Sequence, residues 1–190
     1  MKRIILTIGL SVATMFMTAQ TTVRYVTPYG NGSGTGSWSN ASNDLQLMIN
    51  NSSPGDEIWV AQGMYRPERS ANNLGIISIG DENNAFVLKK DVKIFGGFPN
   101  NGIATWTDRD WETYKSILDA QVAGSGVNSV YSYHVVISAG DVGESCLDGF
   151  TIRNGNAFPD NSVQQLSISV NGKWVSKLYG GGIVIEFKLI

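Results

Sequence analysis

Six short apolar segments, each cut off by glycine and spread over residues 58–185, constrain this chain more than any other feature. They are 58–61 (Ile-Trp-Val-Ala), 92–97 (Val-Lys-Ile-Phe-Gly-Gly), 116–119 (Ser-Ile-Leu-Asp), 134–137 (His-Val-Val-Ile), 147–152 (Leu-Asp-Gly-Phe-Thr-Ile) and 180–185 (Gly-Gly-Gly-Ile-Val-Ile). Short apolar runs bounded by turn residues read as strands, and no long helical pattern separates them, which argues against a doubly wound βαβ architecture. Strands recurring every ~15–35 residues suit a coil of stacked rungs, each burying its apolar side against the next. In Val92-Lys93-Ile94 the alternation sends Val92 and Ile94 inward and Lys93 outward. Gly96-Gly97 and Asp148-Gly149 then allow sharp bends that no β-branched residue makes cheaply. The expected fold is therefore all-β.

The first twenty residues have another character. Met1-Lys2-Arg3 is basic, residues 4–13 are mostly apolar, and Met17-Thr18-Ala19 ends on small residues. These are the three parts of a secretory signal peptide, with cleavage expected after Ala19. The apolar run is broken by threonine and serine and is short for a bilayer span, so no integral membrane span is expected in the mature chain. Removal of residues 1–19 takes Lys2 and Arg3 with it, so 14 basic side chains fall to 12 against 16 acidic ones. A mildly acidic chain lacks the basic stripe that nucleic acid requires.

Cys146 is the single cysteine, which excludes a disulfide within the chain and a thiolate metal cluster. His134 is the single histidine, so a transition-metal site is unsupported, and no cofactor is expected. The glycine-rich stretch 30–36 has no Gly-Lys-Ser/Thr ending and does not read as a phosphate loop. Residues 41–51 form the one convincing helix. Ala41, Leu45, Met48 and Ile49 share a face, and Asn51-Ser52-Ser53-Pro54-Gly55 stops it. Its apolar face suits a lid over an open end of stacked strands. The organisation expected is a signal peptide at 1–19, an N-terminal cap at 20–57, and rungs at 58–190.

Taken in order, several motifs look familiar. Tyr25-Val26-Thr27-Pro28-x-Gly30, Ser37-Trp38, the 41–51 helix and Gly55-Asp56-Glu57-Ile58-Trp59-Val60-Ala61-x-Gly63-x-Tyr65 form one such set. They resemble the start of right-handed parallel β-helix (pectin-lyase-like) modules of secreted bacterial surface proteins, similar to polymorphic outer-membrane-protein type repeats. Val92–Phe98, Arg109-Asp110-Trp111, Ile117-Leu118 and Leu147–Ala157 continue the pattern. The resemblance implies a right-handed parallel β-helix, a solenoid with an N-terminal capping helix. It also implies export to the outer cell surface of a bacterium and an adhesin-like or structural role. In such modules Gly180-Gly181-Gly182-Ile183 opens further rungs, so the chain is expected to be a fragment of a longer protein, incomplete at its C-terminal end.

An enzyme of that fold would resemble a polysaccharide lyase or a glycosidase. A lyase needs acidic ligands for Ca²⁺ and a basic side chain to take a proton; a glycosidase needs two carboxylates across the sugar. Asp108, Asp110, Asp119, Asp141, Glu144 and Asp148 are the candidate acids, with Arg109 and Arg153 as candidate bases. Their spacing does not repeat from strand to strand, and turn duty accounts for Asp141 and Asp148, so no catalytic residue is assigned. Exposed aromatics stack on sugar rings, which makes Trp106 and Trp111, with Arg109 between them in the sequence, the candidate carbohydrate contacts. The expectation is a non-enzymatic module whose partner is a polysaccharide or a host or cell-surface ligand. A lyase or glycosidase and a carbohydrate-binding module without catalysis are the alternatives.

Overall fold

The computed structural model describes residues 21–157 and 165–186. The signal peptide and its cleavage after Ala19 lie outside them. Among the described residues, fourteen short strands occur in chain order. The first five are β1 (Val23–Val26), β2 (Glu57–Ala61), β3 (Gly63–Tyr65), β4 (Phe86–Val87) and β5 (Lys93–Phe98). Then come β6 (Ser116–Asp119), β7 (Gln121–Ala123), β8 (Val130–Tyr131), β9 (Val136–Ala139) and β10 (Cys146–Asp148). The last are β11 (Phe150–Arg153), β12 (Ser167–Val170), β13 (Lys173–Ser176) and β14 (Ile183–Glu186). The one α-helix among the described residues, α1 (Leu45–Asn51), precedes β2.

The all-β right-handed parallel β-helix with a capping helix is overturned. The described structure is mixed, 10% helical and 37% strand, in several separate sheets of two to four strands, with no solenoid detected. Parallel pairing occurs in three sheets, ordered β1-β2-β5-β10, β11-β6-β3 and β14-β9-β4. Two further sheets are antiparallel pairs, β7-β8 and β12-β13. Local turn chemistry breaks the regular coil. Asn171 and Gly172 take φ of 49° and 73°, which closes β12 onto β13 through the two-residue loop that right-twisted strands favour.

The predicted helix over 41–51 begins only at Leu45. The Asp44 carboxylate accepts from the Leu47 amide at 2.8 Å and caps the first turn. Just before it, Ser42 is held extended, donating to the Tyr25 carbonyl and accepting from the Thr27 amide. Leu45, Met48 and Ile49 are buried with Val26, Ile58, Val60, Val92, Ile94 and Leu118 in the main core.

Gln46, which helical periodicity places off the apolar face, is also buried. Its Oε1 accepts from Val87 N at 2.8 Å and its Nε2 donates to Val87 O at 3.3 Å, so the amide side chain acts as a strand partner for β4. Gln46→Ala leaves both backbone groups without a partner and is expected to cost about 1–3 kcal/mol in urea denaturation.

The sheet β14-β9-β4 lies between two apolar clusters. Phe86 and Val136 face the main core, whereas Val87, Ile137 and Ala139 face a second cluster roofed by Ile168, Val170 and Val175 of the hairpin. All four residues of β9 are buried for that reason. A third cluster, built on Trp38, Ala61, Phe98 and Ala104, packs with Tyr25, Trp59 and Phe95 and carries the site described next.

Candidate functional site

A row of side chains crosses the four-stranded sheet. Tyr25 of β1, Trp59 of β2 and Phe95 of β5 are in register, and Asp148 of β10 continues the row. In-register residues of parallel strands lie side by side on one face. The Tyr25 and Trp59 rings meet edge to face at 5.9 Å, and Trp59 stacks on Phe98 at 4.8 Å. Trp106, in a 3-10 turn at Trp106–Asp108, sets its ring edge-on to Phe95 at 4.9 Å and 5.7 Å from Trp59. Such pairs contribute about 0.5–1.5 kcal/mol each beyond burial.

Arg109 ends the row. Its Nε donates to Gly96 O at 2.7 Å, and its guanidinium pairs with the Asp148 carboxylate. The guanidinium carbon lies 5.4 Å from the Phe95 ring, 5.3 Å from Trp106 and 5.1 Å from Trp111, within cation–π range of all three. Two glycines make this arrangement possible. Gly149 has φ of +79°, and a Cβ there would meet Gly96 O at 2.7 Å and press on the Arg109 guanidinium. Gly97 has φ of +91°, and a Cβ there would lie 2.8 Å from Trp111 Cα. Its carbonyl accepts from the Asp110 amide at 2.7 Å. The bends read from the sequence therefore seat the arginine and the tryptophan.

Asp108, Arg109, Asp110, Trp111, Glu112 and Tyr114 line a cleft of about 730 Å³. Of the three expected sugar contacts, Arg109 and Trp111 are brought together there, and Trp106 packs on the aromatic row outside the cleft lining. Trp111 is 55% exposed and Trp106 46%, so both keep part of a ring free for a ligand.

Asp108, Asp110, Asp119 and Asp141 are engaged in structural contacts. Hydrogen bonds from the Thr105 amide and hydroxyl hold Asp108 below the usual carboxylate range. Those from the Thr113 hydroxyl and amide, and then from the Glu112 amide, do the same for Asp110. Burial pushes Asp119 up, but hydrogen bonds from Asn154, the Gln121 amide and Arg153 outweigh it and hold that carboxyl low as well. Asp141 pairs with Lys90 at 2.6 Å. A general acid working near neutral pH needs a raised pKa, the opposite of Asp108, Asp110 and Asp119.

The described residues hold no cluster of three or more His, Cys, Asp or Glu side chains able to bind a metal ion. Cys146 is half-buried on β10, and His134 is buried just before β9. Among the described residues no helix is long and apolar enough to cross a membrane. No family model matches the chain, and no curated protein or solved structure matches it significantly.

The aromatic row is not among the features expected from the sequence. Its signal was present: Tyr25, Trp59, Phe95 and Asp148 each follow an inward position or alternate with one, as in Ile58-Trp59-Val60. Read one at a time, Tyr25, Trp59 and Phe95 do not show that three strands align them.

Proposed function

We propose that the chain is a non-catalytic module, secreted or displayed on the outer surface of a bacterium, that binds a polysaccharide or cell-surface glycan at the Arg109–Trp111 cleft. The observation that carries this reading is the seating of Trp111. Its ring is more than half exposed, its backbone is clamped against Gly97, and Arg109 lies beneath it on a fixed aromatic floor. A pre-positioned aromatic face binds a sugar ring with little side-chain entropy left to lose. Asp108, Asp110 and Glu112 around it supply acceptors for sugar hydroxyls. The export pattern of residues 1–19 supports the location.

The lyase reading draws on Arg109 meeting Asp148 and Arg153 meeting Asp119. In both pairs the guanidinium is turned onto a carboxylate partner, so neither arginine is placed to take a proton from a sugar.

The test is titration calorimetry against a panel of neutral and acidic polysaccharides with Ca²⁺ present, alongside an assay for new reducing or unsaturated ends. Binding without turnover is expected. Trp111→Ala should weaken it about tenfold or more, ~1.4 kcal/mol, while Trp174→Ala on the β12-β13 hairpin should leave it unchanged. Turnover abolished by Arg109→Ala would overturn the non-catalytic reading. Equal affinity for wild type and Trp111→Ala would remove the cleft as the binding site.

A further inference from the structure

We propose that His134 and Lys177 form a proton-operated latch that holds residues 177–182, and with them β14, against the body of the fold and lets them go on acidification. This rests on a buried cluster remote from the cleft and unused by the proposed binding. His134 is 3% exposed, and its Nδ1 lies 3.0 Å from Gly180 O. Because a carbonyl only accepts, Nδ1 carries the proton and Nε2 the lone pair. Nε2 is sealed from solvent, with no group placed to donate a hydrogen bond to it. Directly after this contact the same segment is tied down by backbone bonds, Val135 N to Gly181 O and Val136 N to Gly182 O, both 3.1 Å. Pairing of β14 with β9 begins directly after them, at Ile183 opposite Val136.

Lys177 begins this segment and is 6% exposed. Its ammonium sits 5.0 Å over the Tyr133 ring and faces the carboxylates of Asp81 and Glu82. Glu82 also accepts from the Tyr133 amide at 2.9 Å through its backbone carbonyl and from the Tyr133 hydroxyl at 3.4 Å through its carboxylate. The charged group set against His134 itself is Lys177, a second cation. Burial is the largest influence and holds the ring below its ordinary 6.5; the Gly180 and Ser176 carbonyls pull the other way, and Lys177 adds to the depression.

The sign follows from linkage. With the segment open, His134 takes up a proton near its ordinary pKa of 6.5, whereas with the latch closed the buried ring resists it to a lower pH. Closure is therefore at full strength above about pH 6.5 and weakens as pH falls through the depressed pKa. Residues 177–186 end in the last strand of their sheet among the described residues, so they open at less cost than the whole fold.

Two measurements on the unmodified protein test the latch. Nitrogen-15 NMR of the single imidazole is expected to show a neutral Nδ1–H tautomer at pH 7.5 and titration below 6.5. Amide hydrogen exchange, corrected for intrinsic rate, is expected to speed up at least tenfold in residues 183–186 between pH 7.5 and pH 5, with β1 and β2 unchanged. His134→Asn keeps a donor toward Gly180 O and cannot titrate, so it should abolish the acid opening. Lys177→Met removes the neighbouring cation and should move the opening to lower pH. Titration at or above 6.5 would overturn the proposal, as would equal protection of β14 at both pH values. Acid opening that persists in His134→Asn, or an opening midpoint unmoved in Lys177→Met, would overturn it as well.

Discussion

Phe98→Ala is expected to lower stability by about 3–5 kcal/mol, the range for truncating a buried aromatic that the surrounding structure cannot collapse around. Phe98 is fully buried at the end of β5. Its ring stacks on Trp59, lies 5.7 Å from Trp38 and is 6.1 Å from Trp106. Three large rings would face the void, and Trp38 is further anchored by its indole N–H to Ala104 O at 2.7 Å, which limits relaxation. Urea denaturation followed by tryptophan fluorescence measures the loss. The same substitution loosens the Trp59–Trp106 floor beneath Arg109, so glycan affinity should fall with it. Ile94→Val in the main core should cost only about 0.5–1.5 kcal/mol and leave affinity intact. A Phe98→Ala protein within 1 kcal/mol of wild type would mean that the aromatic cluster is not a rigid support.

Asp119→Ala is expected to cost about 3 kcal/mol, because it strips the acceptor from several donors at once. The Asp119 side chain is almost wholly buried at the end of β6. It accepts from Arg153 Nε at 2.9 Å and Nη2 at 2.7 Å, Asn154 Nδ2 at 2.9 Å and the Gln121 amide at 3.0 Å. Arg153 is partly exposed and regains water, which keeps the loss at the lower end for a broken buried pair. Asn154 sits at a φ of 67°, and losing its side-chain bond leaves that strained backbone unsupported. Because the folded-state pKa lies below the unfolded value near 4, the contribution is fully present above about pH 4 and is lost as pH falls through the folded pKa. Acid denaturation curves of wild type and Asp119→Asn should thus converge below pH 4. Curves that stay parallel to the acid limit would show that the carboxylate charge is not what stabilises this corner.

Both predictions concern residues whose importance was only half legible. Phe98 follows Gly96-Gly97 in the sequence and reads as a residue after a bend, yet the strand runs on through both glycines to include it. Asp119 closes an apolar run and reads as a candidate acid, but Asn154 and Arg153, which occupy it, lie 35 and 34 residues away. The segment at 116–119 has the bounds its pattern predicts, whereas the strand expected at 134–137 is displaced to 136–139. Alternation locates one buried face, and β9 has two, so the pattern there carries no period. The β12-β13 hairpin was readable in principle from Asn171-Gly172 between Ile168, Val170 and Val175, yet it was not expected.

Local chemistry settles what neighbouring residues settle among themselves. Ile58-Trp59-Val60 sends its flanks inward because successive strand side chains alternate, Gly97 and Gly149 bend because they lack a Cβ, and Asp44 starts α1 because its carboxylate reaches an unbonded amide. Those effects act within a few residues and are written in the chain. The tertiary structure decided which strands became neighbours, that they form several short sheets with one helix rather than a continuous all-β coil, and that Arg109 meets Asp148 across 39 residues. Partners so far apart are chosen by a collective fit of buried surface and register, in which every strand competes for the same neighbours. The aromatic row beneath Trp111 and the contact of His134 with Gly180 arise from that choice, so they exist only once the chain has packed.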